Sequence, residues 1–284
     1  MAEPGGTVGP GGTGETDPDA PLNASQLPAY FELPVPKTWH TLDFISDLHL
    51  CEAMPRTFEA FAAHLQHTRA DAVFILGDLF EVWVGDDMRE RGFERHCLDT
   101  IAQACSHRQV SFMVGNRDFL AGPLLLRSSG MVGLPDPTVL VAWNQRVLLS
   151  HGDALCMNDL PYQAFRAQVR GAAWQQQFLA QSLPQRLKIA AEIRQASASR
   201  QQFDGAAMAD IDATTAVWWM HAMGTPELVH GHTHRPGGNA LAPGFKRHVL
   251  SDWDLDGADR AAHRAEVLRL TRDGFERVAP SLPS

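Results

Sequence analysis

Three short apolar runs, separated by stretches of helical spacing, constrain this chain more than anything else in it. "TLDFIS" (41–46), "DAVFIL" (71–76) and "QVSFMV" (109–114) have strand length, and each ends in a polar turn. Between them, "TFEAFAAHLQHT" and "ERHCLDTIAQAC" repeat apolar residues at the helical interval. This is a βαβα order. It predicts an α/β fold with largely parallel strands and right-handed crossovers.

Further along, "TVLVAWNQRVLLSHG" reads as a hairpin turning at Asn144-Gln145, and "EVLRLTRDGFERV" as a second hairpin near the C-terminus. "ELVHGHTH" and "KRHVLSDWD" read as further strand ends. Residues 155–222 are rich in helical pattern ("YQAFRAQVRGAAWQQQFLAQ", "QRLKIAAEIRQASASR") and interrupt the strand program, so they are expected to form a cap over the sheet. Residues 1–38 are crowded with Gly, Pro, Thr and acids. They are expected to form a disordered tail ahead of one domain spanning 39–284.

Composition narrows the function classes. Lys and Arg total 24 against 33 Asp and Glu, a net charge of −9, which argues against broad nucleic-acid binding. Four cysteines without a C-x-x-C pair read as reduced thiols of a cytoplasmic protein, and no secretory signal is visible. No apolar run approaches the roughly 20 residues that span a bilayer.

The strand ends carry the chemistry. Asp47-Leu48-His49 follows the first run, Gly77-Asp78 the second, and Gly115-Asn116-Arg117-Asp118 the third. His151-Gly152-Asp153 and Gly231-His232-Thr233-His234 follow later strands. Each group alone is an ordinary turn or helix cap. Five of them, all at carboxyl ends where ligands of open α/β sheets gather, are not. Carboxylate, amide and imidazole donors without thiolate suit Mn²⁺, Fe²⁺ or Zn²⁺ rather than Ca²⁺ or a structural zinc.

The series "DLHL", "GDLFEVW", "GNRDF", "HGD" and "GHTHRP" resembles the calcineurin-like metallophosphoesterases from about Thr41 to Trp253. "GDLFEVWVGDD" and "HGDALCMNDLPYQAFR" are similar to the branch of that family acting on UDP-2,3-diacylglucosamine, a lipid A precursor. The resemblance implies an αββα sandwich, two packed mixed sheets flanked by helices, with a helical cap insertion. It implies a two-metal site in which Asp47, His49, Asp78 and His234 hold one ion and Asp78, Asn116, His151 and His232 hold the other. Two Mn²⁺ are expected, ahead of Mg²⁺, Fe²⁺ or Zn²⁺. His230, ahead of the glycine, is then expected to pack rather than ligate.

Two cations about 3.5–4 Å apart can clamp a phosphoryl group and acidify the water between them. The resemblance therefore implies Mn-dependent attack of that hydroxide on a diphosphate, giving UMP and 2,3-diacylglucosamine 1-phosphate, with Asp78, Asn116, Arg117 and His151 as catalytic residues. Many relatives carry a histidine where this chain has Arg117. A guanidinium is a poor proton donor and a good phosphate fork, which favours P–O–P over ester cleavage. Asn116, Arg117, His232 and, from the cap, Asp159, Tyr162, Arg166, Arg194 and Ser197 are expected to contact substrate. The family's lysine soon after Ser197 is missing from "SASRQQFDG", where Arg200 is the available substitute.

Trp174, Phe178, Leu179, Leu183, Leu187 and Ile189 are candidates for an acyl-chain groove or for plain helix packing. The implied partners are a lipid nucleotide and the cytoplasmic face of the inner membrane, met peripherally by a monomer. The competing readings are a two-metal phosphoesterase for a soluble nucleotide and a metal-binding scaffold without catalysis.

Overall fold

The structure, a computed structural model, describes residues 27–204 and 209–282, with only the backbone for 197–204. Its strands are β1 (Phe31–Pro34), β2 (Leu42–Ile45), β3 (Ala72–Leu76), β4 (Gln109–Met113), β5 (Val132–Leu134) and β6 (Thr138–Ala142). Six more follow: β7 (Gln145–Ser150), β8 (Glu227–His230), β9 (Gly237–Ala242), β10 (Phe245–Val249), β11 (Val267–Thr271) and β12 (Gly274–Val278). The helices are α1 (Pro55–His67), α2 (Gly92–Cys105), α3 (Pro123–Ser129), α4 (Leu160–Val169), α5 (Ala172–Leu179), α6 (Leu183–Asp204) and α7 (Ala213–Ala222).

The strands form two mixed six-stranded sheets, ordered β12-β11-β2-β3-β4-β5 and β1-β6-β7-β8-β10-β9. Period-two alternation explains how the continuous apolar runs bury both faces. In β3, Val73 and Ile75 pack with Phe61, Leu98 and Ile101 of α1 and α2. Ala72, Phe74 and Leu76 face the other sheet, meeting Leu140, Val147 and Val229. Phe44 stacks on Phe74 at 5.2 Å between centroids in this middle layer. On the far side, Val139, Leu148 and Leu228 pack against Ala216, Trp219 and Met220 of α7. The result is the expected αββα sandwich.

Three expectations need correction. The tail boundary at 38 is too late, because Phe31–Pro34 is a strand, pairing in parallel with β6 from Phe31↔Thr138 to Pro34↔Val141. Among the described residues no strand pairs with its outer edge, so Pro34 costs no ladder bond; Leu33, Val35 and Trp39 pack against the inter-sheet core. Residues 1–26 lie outside the described residues.

The first hairpin turns one residue earlier than expected. Ala142 faces Gln145, leaving Trp143-Asn144 as the turn. Trp143 takes a left-handed φ of 55°, and its indole N–H donates to Trp39 O at 2.9 Å. That bond secures a turn position which tryptophan rarely fills. The cap, finally, ends before 222. β7 and β8 are parallel neighbours and need a covering crossover, and α7 supplies it as a core-packed helix. The cap is α4 to α6.

Candidate metal centre

β2, β3 and β4 are parallel neighbours in one sheet, and β7 and β8 in the other. Their carboxyl-end loops are bonded to one another. Asp47 N–H donates to Gly77 O at 3.1 Å and Gly231 N–H to His151 O at 3.0 Å. His232 N–H reaches across 185 residues to Asp47, at 3.2 and 3.0 Å from its two oxygens.

Holding the side chains there demands unusual backbone. Asp47, His49, Asp78, His232 and His234 have φ of 53°, 48°, 53°, 66° and 50°. Left-handed φ outside glycine costs on the order of 1–3 kcal/mol per residue and collects at functional sites. Trp143 is the sixth such residue among the described residues. The glycines beside the ligands are close-fitting for the same reason. A Cβ on Gly115 would lie 2.1 Å from Asp78 Oδ1, and one on Gly231 2.3 Å from Asp47 Oδ2.

The donors converge in two groups. His49 Nε2 and His234 Nε2 face each other at 3.3 Å, with Asp47 Oδ1 3.4 Å from the latter. Asn116 Oδ1 stands 2.8 Å from His232 Nδ1 and 3.0 Å from His151 Nε2, which is 3.7 Å from Asp78 Oδ1. Asp47, His49 and His234 offer ligand atoms within 4.8 Å of one another, and so do Asp47, Asp78 and His151. Asp47 therefore belongs to both groups, while Asp78, the expected shared carboxylate, belongs to the second. Imidazole nitrogens that face one another beside buried carboxylates suit a divalent cation between them. The free nitrogen of a ligand histidine must then carry the proton. His151 shows this arrangement, with Nδ1 2.9 Å from Leu76 O and Nε2 toward the site.

Residues 40–236 match the calcineurin-like phosphoesterase family. The chain belongs to that family. A UDP-2,3-diacylglucosamine hydrolase of Xanthomonas campestris is 42% identical over 249 residues, covering 82% of this chain and 96% of that protein. The protein of the same name from Stenotrophomonas maltophilia is 42% identical over 254 residues, covering 82% and 95%. Among solved structures, a dimetal phosphatase from Danio rerio superposes with a TM-score of 0.45 at 16% identity, covering 86% of this chain and 99% of that one.

In this phosphoesterase the buried charges shape one another. Burial alone would push the His151 imidazole down, but the Asp78, Asp47 and Asp153 carboxylates raise it to about 9. Burial and the neighbouring His151 push His232 down to about 4. Burial opposes a charge on Asp47, yet His234, His151 and His49 hold it well below the usual carboxylate range. A cation must displace the His151 proton. Metal affinity of the metal-free protein is therefore expected to climb with pH toward about 9, by up to about tenfold per pH unit for one proton released. Calorimetric titration at pH 7 in two buffers of different ionisation enthalpy measures that proton, and binding without proton release would contradict it.

The expected substrate residues are brought to the same pole in two clusters. Arg117 and Arg194 donate to Glu81 Oε1 at 3.1 and 2.6 Å. Tyr162 and Arg166 donate to Asp153 Oδ2 at 2.7 and 2.8 Å, with the Tyr162 ring 5.8 Å from that of His232. Asp159 caps α4, accepting from Tyr162 N–H at 3.1 Å. The side chains of Ser197 and Arg200 lie outside the described residues. His230 is fully buried, with Nδ1 2.9 Å from Gly231 O, and belongs to neither cation group. Of the candidate acyl-groove residues, Phe178 is buried against the core and stacks on Trp174 at 4.6 Å, while Leu179 is 43% exposed.

Several contributors escaped the sequence reading. Asp118 accepts from Gly115 and Leu79 N–H, both at 2.7 Å, and so clamps the β3 and β4 loops together. Burial and the Asp78 charge raise its carboxyl to about 7. Asp252 lies 3.5 Å from His234 Nδ1, and Ser46 donates to Asp47. A visible signal existed in "NRD", "HGD" and "SDWD": each carries an acid that the ligand pattern leaves unused.

Proposed function

We propose that this phosphoesterase hydrolyses the diphosphate of UDP-2,3-diacylglucosamine, releasing UMP and 2,3-diacylglucosamine 1-phosphate. The observation that carries the reading is the Arg117–Arg194 pair beside seven O and N donors, in a chain 42% identical to hydrolases named for that substrate. Asp47, His49, Asp78, Asn116, His151, His232 and His234 would hold two divalent ions, with Mn²⁺ the best match to the donor set. When bound, such ions acidify water and offset charge on a phosphoryl group.

The protein's own groups supply the rest. Arg117 has two roles, since its backbone N–H steadies Asp78 Oδ1 at 2.8 Å while its guanidinium stands at the rim. There, with Arg194, it would grip the diphosphate as a planar fork. The leaving phosphate needs no proton, so the absence of a histidine at position 117 carries no penalty. Tyr162 and Arg166 would face the nucleotide or sugar from α4.

No helix among the described residues is long and apolar enough to cross a membrane. Leu160, 73% exposed at the start of α4, with Met157 and Leu179, would let the cap rest on the inner membrane from its cytoplasmic side.

One assay tests the reading. The lipid nucleotide is supplied in anionic vesicles with Mn²⁺, and UMP release is compared with that from a soluble UDP-sugar. The lipid is expected to react at least about 100-fold faster in kcat/KM, a preference worth about 2.7 kcal/mol, with the protein sedimenting with the vesicles at low salt. Equal rates on the two substrates would overturn it.

A further inference from the structure

Glu81 is not among the seven donors, yet side chains from three separate segments meet its carboxylate. Arg117, after β4, and Arg194, on α6, donate to Oε1 at 3.1 and 2.6 Å. Oε2 is 3.4 Å from His49 Nδ1, an ion-pair distance. That nitrogen is buried and has no hydrogen-bond partner among the described residues, so Glu81 is the acceptor placed toward its N–H.

The backbone beneath Glu81 is fixed. Its N–H donates to Leu50 O at 3.1 Å, one residue beyond His49, and Trp83 N–H donates to Arg117 O at 3.0 Å.

Two consequences follow from this geometry. A carboxylate on Nδ1 selects the imidazole tautomer whose Nε2 lone pair faces the cation group, and it fixes the ring angle. Two guanidinium groups on one carboxylate are held as a pair, with one positive charge left over for an arriving phosphate.

We propose that Glu81 is a positioning residue that couples the cap to the metal centre, orienting His49 for its cation while aligning Arg117 with Arg194. The arginine half rests on the diphosphate-hydrolase reading; the His49 half does not.

Calorimetric titration of the metal-free protein with Mn²⁺ tests the His49 half without substrate. Glu81→Gln keeps the side-chain shape and removes the charge, and it is expected to weaken one cation by about 10–100-fold. Glu81→Asp keeps the charge but withdraws it from His49, and a similar loss is expected. Wild-type affinity in either variant, with an unchanged near-ultraviolet circular dichroism spectrum, overturns the proposal.

Arg194→Ala is expected to leave Mn²⁺ affinity unchanged and to raise KM for the lipid nucleotide more than it lowers kcat. An unchanged KM, against a wild type that does turn over, overturns the arginine half. A wild type that releases no UMP would count against the diphosphate reading, and the titrations would still decide the role of Glu81 toward His49.

Discussion

Asp78→Ala is expected to lower UMP release at saturating Mn²⁺ by about 10³-fold or more, a rise of at least about 4 kcal/mol in the barrier. Asp78 is 2% exposed and sits where three supports meet: His151 Nε2 at 3.7 Å, the Arg117 N–H at 2.8 Å, and the close-packed Gly115 backbone. Its carboxylate is part of the charge that raises His151, so its loss removes a ligand and weakens the electrostatic case for any cation beside Asn116. The metal-free variant is expected to remain folded, because Asp78 lies in a crowd of buried acids that includes Asp47, Asp118 and Asp153. Initial rates and a Mn²⁺ titration of the same preparation check both statements. A folded variant retaining a tenth of wild-type activity would contradict a two-cation centre.

Gly115→Ala is expected to damage stability and activity together through a single methyl group. The added Cβ would stand 2.1 Å from Asp78 Oδ1 and 2.5 Å from Asp78 N, both far inside van der Waals contact. Asp78 cannot retreat easily, since its left-handed backbone lies between the loops that Asp118 clamps. Overpacking of this kind costs about 1–3 kcal/mol. In a chain of this size that lowers Tm by about 3–10 °C in scanning calorimetry. The activity loss is expected to be larger than the stability loss at assay temperature, because the atom displaced first is a ligand oxygen. Gly92→Ala is the control. Nothing among the described residues lies within 4 Å of a Cβ there, and alanine suits the start of α2, so Tm is expected to hold or rise slightly. Equal behaviour of the two variants would refute the packing argument.

The proposed role of Glu81 changes how the cap is understood. α4 is tied to the metal pole through Tyr162 and Arg166 on Asp153, and α6 through Arg194 on Glu81. Asp153 stands two residues after His151, and Glu81 Oε2 lies 3.4 Å from His49 Nδ1, so both anchoring carboxylates neighbour a candidate ligand histidine. Residues that look from sequence like free substrate contacts are thus already engaged, and substrate would have to share or displace those bonds.

Much of this was legible in the chain itself. The runs "TLDFIS", "DAVFIL" and "QVSFMV" are apolar at successive positions because both strand faces are buried, and that pattern alone specifies covered, parallel β-structure. The donor types at the strand ends are equally local. Asp, Asn and His in those turns supply O and N donors of the kind a divalent cation takes.

Other features needed the folded molecule, because they depend on partners remote in sequence. Phe31–Pro34 is a strand only because β6, over a hundred residues on, supplies its hydrogen bonds. α7 follows the cap helices in the chain, and its place in the core is decided by packing against Leu148 and Leu228. Asp47 meets Asp78, His151 and His234, and Glu81 gathers His49, Arg117 and Arg194, through separations of 31 to 187 residues that no local periodicity records. Spacing along a chain reports which faces are buried and which atoms can bind. Which carboxylate stands beside which histidine is settled by the crossing of two sheets.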